Sequence, residues 1–337
     1  MFEDKTVAVI VPCYNEEAQV EKVLRTMPDF VDCILVVDDK STDGTVEVVR
    51  GHIAAEGDSA RTVLLEQDRN QGQGAAVARG YREVLARGFD VAAVMDGDGQ
   101  MDPDELRLLV GPVARAQTDY AKGNRLFYRG AWETIPHHRY LGNAFLSMLT
   151  KIASGYWHVA DSQTAYVAVS RKALGLIDLD RIYPRFGYPN DMLVRLNVCN
   201  MRVADVPIRP VYNVGERSSM RVRRVLPTMM WLIFKRFCWR MVHKYVIHDF
   251  HPLVMFYSTG AFMVLASVAL FIRMIAVWII SDNIPDMNAL LWVFCLVSAA
   301  QLILFAMWFD MEMNRDLKAT VSAEPDSGSM DERPQTD

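Results

Sequence analysis

No two of the five cysteines in this 337-residue sequence are spaced as a pair. Cys13, Cys33, Cys199, Cys238 and Cys295 match no CxxC or zinc-ligand template, which excludes a disulfide framework and a zinc ribbon and reads as buried, reduced thiols. A reducing compartment follows, so the soluble part is expected to face the cytoplasm. The first residues lack a basic stretch, a long apolar run and a cleavage site, so no signal peptide is expected. Repeats of solenoid period are missing too. An overall basic excess is also lacking: the net charge of −5 argues against nucleic acid as a partner.

One absence is local. Between Arg217 and Lys244 there is no acidic residue, while eight basic ones (Arg217, Arg221, Arg223, Arg224, Lys235, Arg236, Arg240, Lys244) alternate with Trp231, Phe234, Phe237 and Trp239. That composition suits helices lying in a lipid headgroup layer, expected over residues 216–250. Two uncharged runs follow, Leu253–Ile272 and Ala289–Phe309. Each is long enough to cross a hydrocarbon core of roughly 30 Å as a helix. Residues 251–310 therefore read as a membrane hairpin. Its link carries Asp282 and Asp286 but no Lys or Arg, which places the basic segment and both termini in the cytoplasm. Residues 311–337, rich in Ser, Pro, Asp and Glu after Lys318, read as a cytoplasmic disordered tail.

Residues 1–215 have a different rhythm. Strand-like runs at Val7–Val11, Cys33–Val37, Thr62–Leu65, Val91–Met95 and Tyr120–Lys122 alternate with helical stretches at Glu16–Met27, Thr45–Ala55, Ala75–Arg87 and Pro103–Ala116. This predicts an α/β domain with a mostly parallel sheet, whose ligands sit beyond the carboxyl ends of the strands. Less regular elements follow: a helix over Tyr140–Ile152, a strand over Thr164–Val169, a helix over Asp191–Cys199 and a strand over Arg202–Val206.

Three polar clusters end three of those strands: Pro12–Glu17, Asp38-Asp39 and Asp96-Gly97-Asp98. Two carboxylates one residue apart at the end of a buried strand are costly unless a cation neutralises them. Asp96, Asp98 and the amide of Gln100 therefore suit Mg²⁺ or Mn²⁺, completed by substrate phosphate oxygens. A competing reading is an Asx-turn, with Asp102 capping the helix that Pro103 opens. The glycine-rich Asn70–Ala76 run opens a helix where an anion could bind, or where a helix packs tightly on the sheet. It lacks the Lys-Ser/Thr of a P-loop and the third Gly of a dinucleotide fingerprint. His137-His138 reads as a loop feature, not a metal site.

In order along the chain, Val11–Glu17, Val36–Thr45, Asn70–Gly74 and Asp96–Gln100 with Pro103 resemble family 2 glycosyltransferases of the GT-A (Rossmann-like) fold. Within them the resemblance is to polyprenyl-phosphate hexose synthases such as dolichol-phosphate mannose synthase and undecaprenyl-phosphate glucosyltransferases. It covers about residues 5–215. It implies that Pro12, Tyr14, Glu16, Val37 and Asp39 line a base and ribose pocket. Asp96, with Gly97, would touch the nucleotide sugar, and Asp98 and Gln100 would hold the metal on its diphosphate. Arg125 and Arg139 match arginines aimed at phosphate, Arg125 within the nucleotide-sugar site, and Arg139, Asn143, Arg217 and Arg221 are the acceptor-phosphate candidates. Asp98, Arg125, Arg139 and Asp191 form the implied catalytic set. The partners implied are a nucleotide sugar donor (UDP- or GDP-linked), a polyprenyl phosphate acceptor, membrane lipids and a second copy of the chain.

A lipid phosphate monoester is already ionised at neutral pH and needs no base, whereas a sugar hydroxyl acceptor does. Asp191 and Asp161 are the candidates either for that base or for orienting donor hydroxyls. The alternatives are thus a membrane glycosyltransferase acting on a sugar hydroxyl, or a silent membrane scaffold that keeps the fold. Three departures bear on the sugar. Gly215–Ser219 lacks the Lys of the Gly-x-Ser-Lys that hexose synthases of this type often carry, Gln73 stands where relatives commonly have Lys, and Asp161–Tyr166 differs from the mannose synthase form.

Overall fold

The computed structural model describes residues 1–127, 137–209, 222–282 and 285–320. Its centre is a seven-stranded sheet: β1 (Val7–Cys13), β2 (Cys33–Asp38), β3 (Thr62–Glu66), β4 (Val91–Val94), β5 (Tyr120–Asn124), β6 (Val167–Ser170) and β7 (Val203–Pro207), in the order β3-β2-β1-β4-β6-β5-β7. The β1–β2, β2–β3, β1–β4 and β5–β7 pairs are parallel, and β6 runs antiparallel to both neighbours.

β1 and β2 are buried at every position because helices cover both faces. The two-residue alternation of a strand sends Ala8, Ile10, Leu35 and Val37 to one face and Val7, Val9, Val11, Ile34 and Val36 to the other. The first face packs under α3 (Gln73–Arg87), α6 (Arg171–Leu176) and α7 (Tyr188–Val198); the second packs under α1 (Val20–Arg25) and α4 (Leu106–Ala114). α2 (Thr45–Glu56) joins β2 to β3. Every strand and helix expected from the pattern of residues 1–215 is present. One short helix, α6, escaped it, since its six residues begin directly after β6, where Ser170 caps the amide of Ala173 at 3.2 Å.

Away from the sheet lie α5 (His137–Ser154), α8 (Val222–Val242) with a π-helical turn over His243–His248, α9 (Leu253–Ser281) and α10 (Asp286–Met313). The last two are long and apolar enough to cross a membrane, and α9 is mostly exposed, as a lipid-facing helix requires. They pack on each other at small residues: Gly260 meets Ile303, and Ser267, Ala299 and Ala306 are buried.

Two expectations need correction here. Residues 311–320 are not a loose tail. α10 continues to Met313, Arg315–Leu317 form a 3₁₀ turn, and the Ala319 amide donates to the Val203 carbonyl at 3.0 Å, extending the β7 edge. Val321 and everything after it lie outside the described residues. The basic belt, too, does not simply face headgroups. Lys235 is exposed, but Arg240 and Lys244 are buried and Arg236 nearly so, because carboxylate and amide partners wait for them inside the protein. Trp231 and Phe234 keep the outward face, at 66% and 56% exposed.

Candidate active site

Strand order reverses around β1, which has β2 on one side and β4 on the other. A crevice beyond the carboxyl ends of β1 and β4 is therefore the expected ligand site. The Pro12–Glu17 and Asp96–Gln100 loops leave those two ends. The second presses on the first: Gly97 donates its amide to the Pro12 carbonyl at 3.3 Å. A methyl group on Gly97 would fall 2.6 Å from Cys13 Sγ, so only glycine lets the acidic turn approach β1 this closely.

The loop after β2 is stitched to the loop after β1. Thr42 donates its amide to Asn15 Oδ1 (2.8 Å), Asn15 to Ser41 Oγ (2.9 Å), and Glu16 to Thr45 Oγ1 (2.9 Å). Tyr14 and Glu16 thereby stand at the rim, Tyr14 46% exposed. Pro12 and Val37 are buried in the strands beneath, so their role toward a ligand would be to shape the floor. Asp39 is held by the protein itself, accepting from Gln67 Nε2 (2.9 Å) and from the amides of Gln71 (2.8 Å) and Gly72 (2.7 Å). It thus fixes the glycine-rich turn.

That turn belongs to the site. Gln73 Nε2 donates to Asp96 Oδ1 at 2.8 Å. Burial, then the neighbouring charges of Asp98 and Glu16, push the Asp96 carboxyl up to about 8. A carboxylate so reluctant to ionise marks a pocket short of positive charge. Asp98 and Gln100 are half-buried, and Asp98 Oδ1 accepts the Gln100 amide at 3.0 Å. Among the described residues no three His, Cys, Asp or Glu side chains form a ready metal cage. One or two oxygen ligands beside a surplus of negative charge nevertheless fit a divalent cation of the Mg²⁺ kind, which takes its remaining ligands from water and phosphate. Asp102 also caps the following turn, accepting the Asp104 amide at 3.0 Å, so that local role coexists with the site.

Arg125 leaves β5 and is gripped by Asp161, Nε to Oδ2 at 2.7 Å and Nη2 to Oδ1 at 3.2 Å. Burial opposes ionisation of Asp161, yet the charge and hydrogen bond of Arg125, the Lys122 ammonium and the Gln163 amide together outweigh it and lower that pKa. Behind the pair, burial lowers the Lys122 ammonium to about 8 and raises Asp205 to about 6. Asp205 holds Asn124 Nδ2 (2.6 Å) and the Ala160 amide (3.1 Å), tying β5 to the segment that carries Asp161.

Asp191 requires a correction. Its side chain has no exposed surface and meets Arg236 Nε at 2.5 Å and Arg195 Nε at 3.0 Å, while Oδ2 also accepts the Tyr183 amide at 2.7 Å. A carboxylate so enclosed in ion pairs is available neither as a base nor to donor hydroxyls. Asn143 is half-buried on α5, whose first turn holds Arg139; the side chain of Arg139 and the residues Arg217 and Arg221 fall outside what is described. The contributions of Gln73, Lys122 and Asp205 went unread in the sequence. For Gln73 a signal was present: an amide bounded by two glycines at a helix start.

This mixed sheet, with its acidic turn at the switch point, has the GT-A architecture. The chain belongs to glycosyltransferase family 2: the family model described as "Glycosyl transferase family 2" matches residues 8–176. It is therefore a glycosyltransferase. Among its relatives, the UDP-N-acetylglucosamine–dolichyl-phosphate N-acetylglucosaminyltransferase of Methanococcus voltae is 26% identical over 233 residues, 66% of this chain and 92% of that one. The undecaprenyl-phosphate mannosyltransferase of Micrococcus luteus is 33% identical over 217 residues, 64% and 87%. Among solved structures, glucosyl-3-phosphoglycerate synthase of Mycobacterium tuberculosis with Mn²⁺, UDP and phosphoglyceric acid superposes with a TM-score of 0.53 at 20% identity, over 70% of this chain and 78% of that one.

Proposed function

We propose that this glycosyltransferase moves a hexose-type sugar from a UDP- or GDP-sugar to a polyprenyl phosphate at the cytoplasmic face of the cell membrane, with inversion at the anomeric carbon. The observation that carries the reading is the state of the two acceptor-side carboxylates. Asp161 and Asp191 are both enclosed and paired with arginine. A hydroxyl acceptor would need one of them as a base; an ionised phosphate needs neither. Relatives named for dolichyl and undecaprenyl phosphate acceptors, and two membrane-length helices on this chain, point the same way.

In this reading Tyr14 and Glu16 border the base and ribose, and Asp96, steadied by Gln73, faces the donor. Asp98 and Gln100 would hold Mg²⁺ or Mn²⁺ on the diphosphate, and when bound the cation offsets the charge of that leaving group. A phosphate oxygen of the acceptor attacks the anomeric carbon as the bond to the nucleoside diphosphate breaks. Arg125, fixed by Asp161, orients the acceptor phosphate, since a guanidinium can take two phosphate oxygens at once. Arg139, Asn143, Arg217 and Arg221 are the further candidates on the acceptor side. The outward Trp231 and Phe234 with Lys235 would rest in the headgroup layer, and the hairpin would keep the site at the membrane surface.

The test is to incubate purified full-length protein with polyprenyl phosphate, Mn²⁺ or Mg²⁺ and a panel of labelled UDP- and GDP-sugars. Label is expected in a lipid that mild acid cleaves. Label that enters only an acid-stable glycoside of a sugar acceptor would replace this reading with transfer to a hydroxyl.

A further inference from the structure

The inward basic residues of α8 link the membrane hairpin to the catalytic domain at α7. Near the end of α10, Asp310 has no exposure and takes both Nη atoms of Arg240 at 2.9 Å. It also accepts the Tyr245 hydroxyl at 2.7 Å. One turn earlier on α8, Arg236 meets Asp191 at the start of α7. The indole of Trp239 lies beneath two guanidinium groups, with Arg195 at 5.7 Å and Arg236 at 5.8 Å from its centroid.

The same cluster grips the chain just before α7. Asp191 takes the Tyr183 amide, Arg236 donates to the Arg181 carbonyl at 3.2 Å, and Arg195 donates to that carbonyl as well. Residues 183–184 in turn lie on the glycine-rich turn. The Ala75 amide donates to the Pro184 carbonyl at 3.0 Å, and a methyl on Gly72 would come within 2.6 Å of that oxygen. A methyl on Gly74 would collide with the Tyr183 carbonyl. Gln73, between those glycines, holds Asp96. Every contact from Asp310 to Asp96 is thus a hydrogen bond, an ion pair, a close backbone approach or a step along a short rigid element.

We propose that Arg236 and Asp191 are positioning residues for sugar transfer, which let the seating of α8 on the membrane hairpin hold the 181–185 segment against the glycine-rich turn and so hold the donor site closed around Gln73 and Asp96. The proposal rests on Asp96 facing the nucleotide sugar. Contiguous contacts supply the path, and coupling measured between its ends is what establishes it.

The experiment uses full-length protein in nanodiscs, with UDP and GDP in the presence of Mn²⁺ as probes. Arg236→Met is expected to weaken nucleotide binding by calorimetry about tenfold, with a matching rise in donor KM and little change in acceptor KM. Arg236→Lys should recover most of the loss, and Asp310→Asn should reproduce part of it from the far end. Amide exchange at 72–76 and 181–185 should quicken in each weakened variant. A purely structural role would lower the melting temperature without separating donor from acceptor. Should Arg236→Met fail to fold, Arg236→Gln supplies the same comparison. Folded variants that bind nucleotide as the wild type does overturn the inference alone. Wild-type protein that binds neither nucleotide overturns the donor-site reading and this inference with it.

Discussion

The proposed donor side of this protein and the side that carries its two membrane-length helices are held together by different means. Around β1, β2 and β4 the polar contacts are made by short side chains and backbone amides: Asn15 with Thr42, Thr45 with Glu16, Asp39 with Gln71 and Gly72. Such contacts stiffen the loops because these backbone donors have fixed acceptors. Where α8 meets α7 and α10, long charged side chains do the work, and Arg240–Asp310 and Arg236–Asp191 each join distant parts of the chain. Buried ion pairs like these add little net stability over an apolar packing but are intolerant of losing one member. In the proposed reading the first side binds the donor, and the second fixes one arrangement of the catalytic domain and the two apolar helices.

The largest contrast should come from the donor side. Asp98→Ala is expected to abolish transfer, by three orders of magnitude or roughly 4 kcal/mol of barrier, while circular dichroism and the melting curve stay near wild type. Excess EDTA should have the same effect on the unaltered protein. Next, Asp310→Asn leaves the buried Arg240 charge without its carboxylate. It should cost about 3–5 kcal/mol in equilibrium unfolding, whereas Arg240→Met with Asp310→Leu together should recover most of that. If the double variant is as unstable as the single one, the pair is not the lock described here.

Arg125→Lys keeps the charge but loses the two-point geometry. It should lower kcat/KM for the lipid phosphate by about tenfold to a hundredfold, on the order of 1.4–3 kcal/mol, with donor affinity unchanged. Asp205 gives a pH test. Its folded pKa of about 6 lies above the 3.8 of an unperturbed Asp, so its protonated form favours folding below 3.8. Stability is then lost as pH rises through that window to about 6. Asp205→Asn should therefore gain on the wild type between pH 4 and 6, measured by urea melts at each pH. The smallest effect is expected at the sheet edge. Ala319→Pro removes the amide that bonds Val203, and should cost about 0.5–1.5 kcal/mol without changing donor binding.

The donor half was legible from the sequence because its signals are local. Strand-ending acidic clusters fall at fixed offsets from apolar runs, and strand order then brings Pro12–Glu17 and Asp96–Gln100 to one edge. The membrane half was legible only in part. Two uncharged runs are unmistakable, but which way a basic helix turns depends on partners far along the chain. Arg236, Arg240 and Lys244 read as headgroup contacts until Asp191, Asp310 and Asn197 are placed beside them. Asp191 misled for the same reason, since a carboxylate's role as base or as anchor is set by what surrounds it.

The sequence by itself thus determined the α/β sheet, the acidic turn after β4 and the membrane-length helices. Period-two and period-3.6 patterning, glycines at turns and long uncharged runs each act over a few residues. Tertiary structure alone decided that the glycine-rich turn serves Asp96 through Gln73, that residues 311–320 return to the sheet edge, and that the basic helix locks inward. Those outcomes depend on pairings far beyond the reach of local patterns, from Gln73 with Asp96 to Val203 with Ala319, and at the basic helix burial makes an unpaired charge too costly to leave and so selects its partner.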